Sequence, residues 1–178
     1  MTETKKSSMP KLIITLCLIS AITAFLLGLV NHITADKIAA LAEQTAQDAM
    51  REVLMADSYE EVDVPAGHDE VVSLYKAGDA GYVADVIVKG SQGKIELMIG
   101  VDNDQVLSGV SIIASAETSG LGAKASEEGW RSQFVGLSAP VAVTKDGGEV
   151  EAITASTITS RAVCNACNLA IAAVADIG

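Results

Sequence analysis

The chain has 178 residues, 49 % of them hydrophobic and 3 % aromatic, with a formal charge of −11. That length leaves room for one globular domain and an appendage. The charge is unevenly placed, because residues 12–178 hold nine basic and twenty-two acidic side chains, a balance of −13, with no basic patch interleaved with aromatics. Such a surface repels nucleic acid and anionic lipid headgroups, which excludes a nucleic-acid partner. Three cysteines, one of them (Cys17) inside an apolar run, are too few for a disulfide scaffold.

From Leu12 to Val30 there are nineteen residues without a charge. At a rise of about 1.5 Å per residue they cover close to the roughly 30 Å hydrocarbon core, which predicts a transmembrane helix over 12–30. A cleaved signal peptide is the competing reading. Its apolar region is normally about 7–15 residues long, and Asn31-His32-Ile33-Thr34-Ala35 makes a poor small-residue cleavage site. Lys5, Lys6 and Lys11 precede the run, so the positive-inside tendency places residues 1–11 in the cytoplasm and the remainder outside.

Residues 31–60 read as a stalk that continues the span, helical from Asp36 to Ser58, with Ile38, Leu41, Ala42, Thr45, Ala49 and Val53 at helical spacing. Pro65-Ala66-Gly67-His68 then marks a break, and residues 61–178 form the predicted extracytoplasmic domain. Its period is 2: Tyr82, Ala84, Val86 and Val88 alternate with Val83, Asp85, Ile87 and Lys89. Ile95, Leu97, Ile99 and Val101 make one face, and Val110, Ile112 and Ala114 another. Gly90-Ser91-Gln92-Gly93 and Asp102-Asn103-Asp104-Gln105 supply turns, so an antiparallel meander is expected. A polar loop follows, Glu117-Thr118-Ser119-Gly120-Leu121-Gly122. Then come a short helix around Trp130 to Phe134, a strand near Val141 to Val143 and a turn at Asp146-Gly147-Gly148. The last helix runs from about Thr157 to Val174, with Val163, Cys164, Cys167, Ala170, Ile171 and Val174 on its apolar stripe. The fold class is α+β: a membrane helix, a stalk helix and a twisted antiparallel sheet with flanking helices.

Catalytic groups are scarce. His32 and His68 lie far apart with no metal-ligand spacing, and no GxSxG elbow presents a nucleophile, so neither a metal site nor a hydrolase is expected. Gly120-Leu121-Gly122 lacks the third glycine and the βαβ context of a dinucleotide fingerprint. Cys164 and Cys167 fall one turn apart on an apolar stripe and read as buried small hydrophobes rather than a redox-active pair.

The unusual segment is Glu151-Ala152-Ile153-Thr154-Ala155-Ser156-Thr157-Ile158-Thr159-Ser160-Arg161, in which five of eleven side chains are hydroxyls at the start of a helix. A helix start offers unpaired N–H groups and partial positive charge, a natural seat for a phosphate. Read from the residues alone, capping by Thr154 or Thr157 is the favoured explanation of the segment.

The segment resembles the flavinylation motif of the FMN-binding domain family, Asp-x-x-(Ser/Thr)-Gly-Ala-Thr followed by x-(Ser/Thr)-Ser-Arg. Its last threonine, here Thr157, is esterified by the FMN phosphate in that family. Glu117-Thr118-Ser119-Gly120-Leu121-Gly122 is similar to the family's Glu-Thr-Pro-Gly-Leu-Gly loop, which lies against the flavin and precedes a Trp/Phe segment, here Trp130, Gln133 and Phe134. With the N-terminal span, the resemblance covers nearly the whole chain and is nearest to the G subunits of Rnf complexes.

The resemblance implies an electron-carrying subunit of an ion-translocating ferredoxin:NAD oxidoreductase, with covalent FMN as cofactor. Its partners would be the other membrane subunits and, during maturation, a flavin transferase. The implied cofactor contacts are Thr157, Glu117, Thr118, Gly120, Leu121, Gly122, Thr154, Ser156, Ile158, Thr159 and Arg161. Arg161, one turn into the helix, reads either as a partner for the phosphate charge or as a solvated helix residue. The chain departs from the motif at Glu151 for Asp, Ala155 for Gly, Ser156 for Ala and Ser119 for Pro. The alanine matters if position 155 needs positive φ. The alternatives are the C subunit of a sodium-pumping NADH:quinone reductase, a free-standing extracytoplasmic flavoprotein, and a cofactor-free bitopic scaffold.

Overall fold

The computed structural model describes residues 9–117 and 122–177, which divide into two compact units on either side of the boundary between residues 44 and 45. The first unit is helical throughout its described length. It is most of α1, a continuous helix over Met9–Val53, and the apolar side chains from Leu12 to Val30 are exposed all round it. A helix apolar on every side has no aqueous solution for its surface. Its length and composition are sufficient to cross a bilayer. The expected span and stalk are one uninterrupted element.

The second unit is a five-stranded antiparallel sheet in the order β1-β2-β3-β4-β5. The strands are β1 (Glu60–Val62), β2 (Val71–Ala77), β3 (Gly81–Lys89), β4 (Lys94–Asp102) and β5 (Leu107–Ser115). A short helix α2 (Glu128–Arg131) and the long α3 (Thr157–Ala175) follow. The expected meander is present as β3, β4 and β5, with Ala84 opposite Ile99 and Ile99 opposite Val110.

One face of the sheet carries Leu74, Ala84, Val86, Leu97, Ile99 and Val110, packed against Val163, Cys164, Cys167, Ala170 and Ile171 of α3 and against Phe134. Each of the valine, leucine, isoleucine and phenylalanine side chains contributes about 1.5–3 kcal/mol by leaving water, so this layer is a major stabilising interface. Although α3 is apolar enough to pass for a span, 61 % of its apolar window is buried, as in a core helix.

The other face also carries apolar residues. Ala77, Val83 and Met98 meet Ala49, Met50 and Val53 of the last turns of α1. This is why both faces of β3 are buried although its sequence alternates. Close approach is possible because Gly100 and Gly109 pair across β4 and β5. A Cβ on Gly109 would lie 2.8 Å from Val53 Cα, and one on Gly100 would lie 2.6 Å from the Val53 carbonyl oxygen. The Ser108 hydroxyl donates to that carbonyl at 2.7 Å, and the Ser111 hydroxyl donates to Glu52 at 2.6 Å. Arg131 donates to both Glu52 (2.9 Å) and the Val110 carbonyl (2.7 Å).

These bonds end the helix at Val53, five residues short of the expected Ser58. The sheet satisfies a carbonyl that a continuing helix would use. Tyr59 then closes the chain reversal, its hydroxyl donating to the Leu54 carbonyl at 2.7 Å and accepting from the Ala56 N–H at 3.2 Å.

Residues 141–143, expected as a strand, form only an isolated bridge between Val143 and Val150. The Val141 N–H and carbonyl are instead bonded to the Asn168 amide, both at 2.8 Å, and are therefore withdrawn from any ladder.

Candidate functional site

The hydroxyl-rich segment lies where expected, and α3 begins at Thr157. Its N-cap is Ser156, whose φ is −131° and ψ 40° and whose side chain makes no capping hydrogen bond. Neither Thr154 nor Thr157 caps the helix: Thr154 is exposed in the preceding turn and Thr157 is half-buried within the first turn. The lock on this corner is Ser160, wholly buried, whose hydroxyl donates to the Ser156 carbonyl at 3.0 Å and accepts from the Ile153 N–H at 2.9 Å. With no side-chain cap, the first-turn N–H groups keep the dipole end that favours an anion.

The turn into the helix also explains why the motif has a glycine where this chain has alanine. Ala155 has φ 63°, in the left-handed region. There a Cβ costs about 1–2 kcal/mol. Ala155→Gly is therefore expected to stabilise the protein by about 0.5–1 kcal/mol, part of the relief being offset by the freer unfolded chain. Urea unfolding of both proteins checks this, and an Ala155→Gly midpoint at or below wild type would refute it.

Two side chains from the Trp/Phe segment hold the start of the motif. The Trp130 indole N–H donates to the Glu151 carbonyl at 2.7 Å, and the Gln133 amide oxygen accepts from the Glu151 N–H at 2.8 Å. Trp130 also stands edge-on to Phe134, centroids 5.1 Å apart. Its place is thus structural, orienting the corner that leads into α3.

Charge enters from a turn twelve residues upstream. Residues Thr144–Asp146 form a short 3-10 turn closed by Gly147 at φ 87°. Lys145 Nζ lies 3.4 Å from Thr157 Oγ1. Asp146 accepts a two-pronged ion pair from Arg161, with Nε at 2.6 Å and Nη2 at 2.7 Å. That pair lowers the Asp146 carboxyl and raises the Arg161 guanidinium. Arg161 is therefore already paired, and the cation facing Thr157 is Lys145, which the motif does not single out.

Glu117 joins three elements. Its Oε1 accepts from the N–H groups of Ser91 (2.6 Å) and Gln92 (3.1 Å) in the β3–β4 turn, and its Oε2 accepts from the Thr159 hydroxyl at 2.9 Å. Thr159 is wholly buried in the second half of the first turn of α3. Gly122, at the far end of the loop, fits only as glycine, since a Cβ there would fall 2.5 Å from that of Glu117. Of the other expected contacts, Ser156 is buried and Ile158 is exposed, whereas Thr118, Gly120 and Leu121 lie outside the described residues.

An open cavity of about 740 Å³ lies between the sheet and α3, lined by Val72, Ile87, Val88, Lys94, Ala162 and Asn165 among others, and neither Thr157 nor Lys145 lines it. Cys164 and Cys167 face the core, and burial pushes the first thiol up to about 11 and the second well above its usual value. Neither has thiolate character at neutral pH, as expected of packing residues.

Residues 90–172 match the FMN-binding domain, and residues 1–53 match the RnfG N-terminal region. The chain is 36 % identical over 172 residues to the G subunit of the ion-translocating oxidoreductase complex of Methanosarcina acetivorans, covering 90 % of this chain and 92 % of the relative. It is 37 % identical over 185 residues to the G subunit of the Na(+)-translocating ferredoxin:NAD(+) oxidoreductase complex of Acetobacterium woodii, covering 90 % and 89 %. It is 34 % identical over 152 residues to the G subunit of the proton-translocating ferredoxin:NAD(+) oxidoreductase complex of Clostridium ljungdahlii, covering 80 % of each. With both regions matched and relatives that align over most of their length, the chain belongs to the family of G subunits of ion-translocating oxidoreductase complexes of the Rnf type.

Proposed function

We propose that the protein is a single-pass membrane subunit that relays electrons through one FMN esterified to Thr157, within an Rnf-type ferredoxin:NAD oxidoreductase. The observation that carries this reading is the Thr157 hydroxyl itself. It is half-buried on an uncapped first turn, 3.4 Å from the Lys145 ammonium, within the matched FMN-binding domain. A threonine merely filling a helix start needs neither an uncapped turn nor a facing cation.

The residues present suit such a group. The N–H groups of the first turn and Lys145 offset the phosphate charge. Glu117 and Gly122 hold the ends of the loop implied to lie against the ring, and Ser160 and Trp130 fix the corner. When bound, FMN supplies one-electron chemistry, and a phosphate linkage leaves its ring free to be tuned by hydrogen bonds and burial. The bond also retains the cofactor on the outer side of the membrane, where residues 31–178 lie in this reading, with residues 1–11 cytoplasmic and 12–30 spanning the bilayer. Its partners are the other membrane subunits of the complex and a flavin transferase.

The test is ultraviolet-excited in-gel fluorescence and intact mass of denatured protein, co-expressed with a flavin transferase. Wild type is expected to be fluorescent and heavier by one FMN. Thr157→Ala is expected to be dark, with unfolding free energy within about 0.5 kcal/mol of wild type, because the side-chain bond it removes is the long one to Lys145. Thr154→Ala, exposed and capping nothing, is expected to be fluorescent. A dark wild type would favour the cofactor-free scaffold, and a fluorescent Thr157→Ala would place the linkage elsewhere.

A further inference from the structure

We propose that Lys145 is the positioning residue for covalent flavin attachment, holding the phosphate against Thr157 while the ester forms, and that the Asp146–Arg161 pair is the clamp that aims it. The inference rests on the reading of Thr157 given above. Lys145 and Arg161 both lie at this corner, and the structure separates their roles. Both guanidinium nitrogens that Arg161 directs toward the turn are committed to Asp146, at 2.6 and 2.7 Å. Lys145 forms no ion pair among the described residues, and the hydrogen bond that its ammonium makes there is the one to Thr157 Oγ1.

The backbone position of Lys145 is imposed by its turn. Thr144 N–H donates to the Val150 carbonyl at 2.9 Å and Val150 N–H donates to the Ala142 carbonyl at 3.2 Å, which closes the two ends of the 3-10 turn on each other. Gly148 packs against the Ala142 backbone, where a Cβ would come within 2.8 Å of Ala142 Cα. Asp146 then ties the turn to α3 one helical turn beyond Thr157. The turn thereby brings the exposed Lys145 side chain within 3.4 Å of the Thr157 hydroxyl.

The chemistry asks for a cation at that place. In transfer from a flavin pyrophosphate donor, the Thr157 oxygen bonds to the flavin-side phosphorus and the bond from that phosphorus to the bridging oxygen breaks. The nucleoside monophosphate leaves with the bridging oxygen and its electron pair, the hydroxyl proton passes to solvent or to a transferase base, and nothing is oxidised or reduced. Negative charge must gather beside Thr157 on a chain that already carries −11. An ammonium at that place favours the arriving phosphate and then stays paired with the phosphodiester.

The experiment follows attachment by intact mass over time, using the full-length apo protein in detergent, purified transferase and flavin pyrophosphate donor. Wild type is compared with Lys145→Met, Lys145→Arg and Arg161→Met. Thermal unfolding of each apo and loaded form gives the stability gained on loading, a quantity measured without the transferase. Apo Lys145→Met is expected to melt as wild type does but to load roughly tenfold more slowly, as for loss of one charged contact, with a smaller gain on loading. Lys145→Arg is expected to restore both, and Arg161→Met to slow loading less than Lys145→Met does. Lys145→Met loading at the wild-type rate would overturn the inference while leaving Thr157 as the site. A slow Lys145→Met whose loaded form gains as much stability as wild type would also overturn it. A wild type that takes up no flavin would remove the reading of Thr157 along with it.

Discussion

Asp85→Asn is expected to stabilise the protein by about 2–3 kcal/mol at pH 8 and to change little at pH 4. Asp85 lies on β3 opposite Ser73 and Met98, on the same face as Val83, which packs beneath the last turns of α1. Only 8 % of the residue is exposed, and its Oδ1 has no hydrogen-bond partner among the described residues. Burial, and secondarily the like charge of Glu96, raises its carboxyl from 3.8 to about 6. A raised carboxyl favours the protonated form in the folded state. Between pH 4 and 6 the folded protein therefore holds a proton that the unfolded chain has released, so stability falls as pH rises through that window and stays low above it. Asparagine removes the charge and with it the penalty at high pH. Groups such as Glu52, whose carboxyl is lowered by Ser111 and Arg131 despite burial, lose stability in acid instead, but they are common to both proteins and cancel in the difference. Urea unfolding of wild type and Asp85→Asn at pH 4, 6 and 8 measures this. Equal differences at all three values would mean that Asp85 is not the titrating group.

Asp85 also shows where strand reading stops. Alternation along β3, β4 and β5 is strong because α3 covers one face with aliphatic side chains, and those strands are plain in the sequence. Burial of the second face is a tertiary event, created when Val53 settles over Gly100 and Gly109, and no local pattern in β3 encodes it. β2 escapes notice for a related reason. A register shift between Val71 and Ser73 puts Val71 and Leu74 in the core but leaves Val72 and Lys76 exposed, so neither period-2 face is consistently apolar. β1 is three residues long and pairs only along one edge, with Glu60 and Glu61 outward, and carries no signal of its own.

The site divides along the same line. Ser156, Thr157 and Thr159 lie within four residues, so the start of α3 and its hydroxyls are legible as a motif, and the requirement for positive φ at residue 155 follows from the one glycine that the motif keeps and this chain lacks. The cation is not legible in that way. Lys145 sits in a charged turn that resembles many solvated turns, and only the fold of residues 141–150 brings it to Thr157. Arg161 is the natural candidate by helix spacing, yet it is claimed by Asp146, which in sequence reads simply as the first residue of a glycine turn.

Glu117→Ala is expected to cost about 2–3 kcal/mol and to slow flavin attachment, whereas Glu117→Gln is expected to cost about 1 kcal/mol or less. The carboxylate bonds two backbone N–H groups in the β3–β4 turn and the hydroxyl of Thr159, and the three cannot be replaced equally. Ser91 and Gln92 are accessible to water when the acceptor is lost, but the Thr159 hydroxyl is wholly buried and would be left without one. Alanine also opens a gap between Gly90 and Gly122, both of which are shaped around the glutamate side chain. Glutamine keeps the volume. Its amide oxygen accepts from the turn, and its NH2 group donates to Thr159, whose hydroxyl rotates to accept, so only the charge-assisted part of each bond is lost. Urea unfolding ranks the three proteins, and the mass-based loading assay reports whether the loop root matters for attachment. If Glu117→Ala were as stable as wild type, the carboxylate would not be what fastens the β3–β4 turn to α3. If it were unstable yet loaded at the wild-type rate, Glu117 would support the fold without shaping the place where flavin is attached.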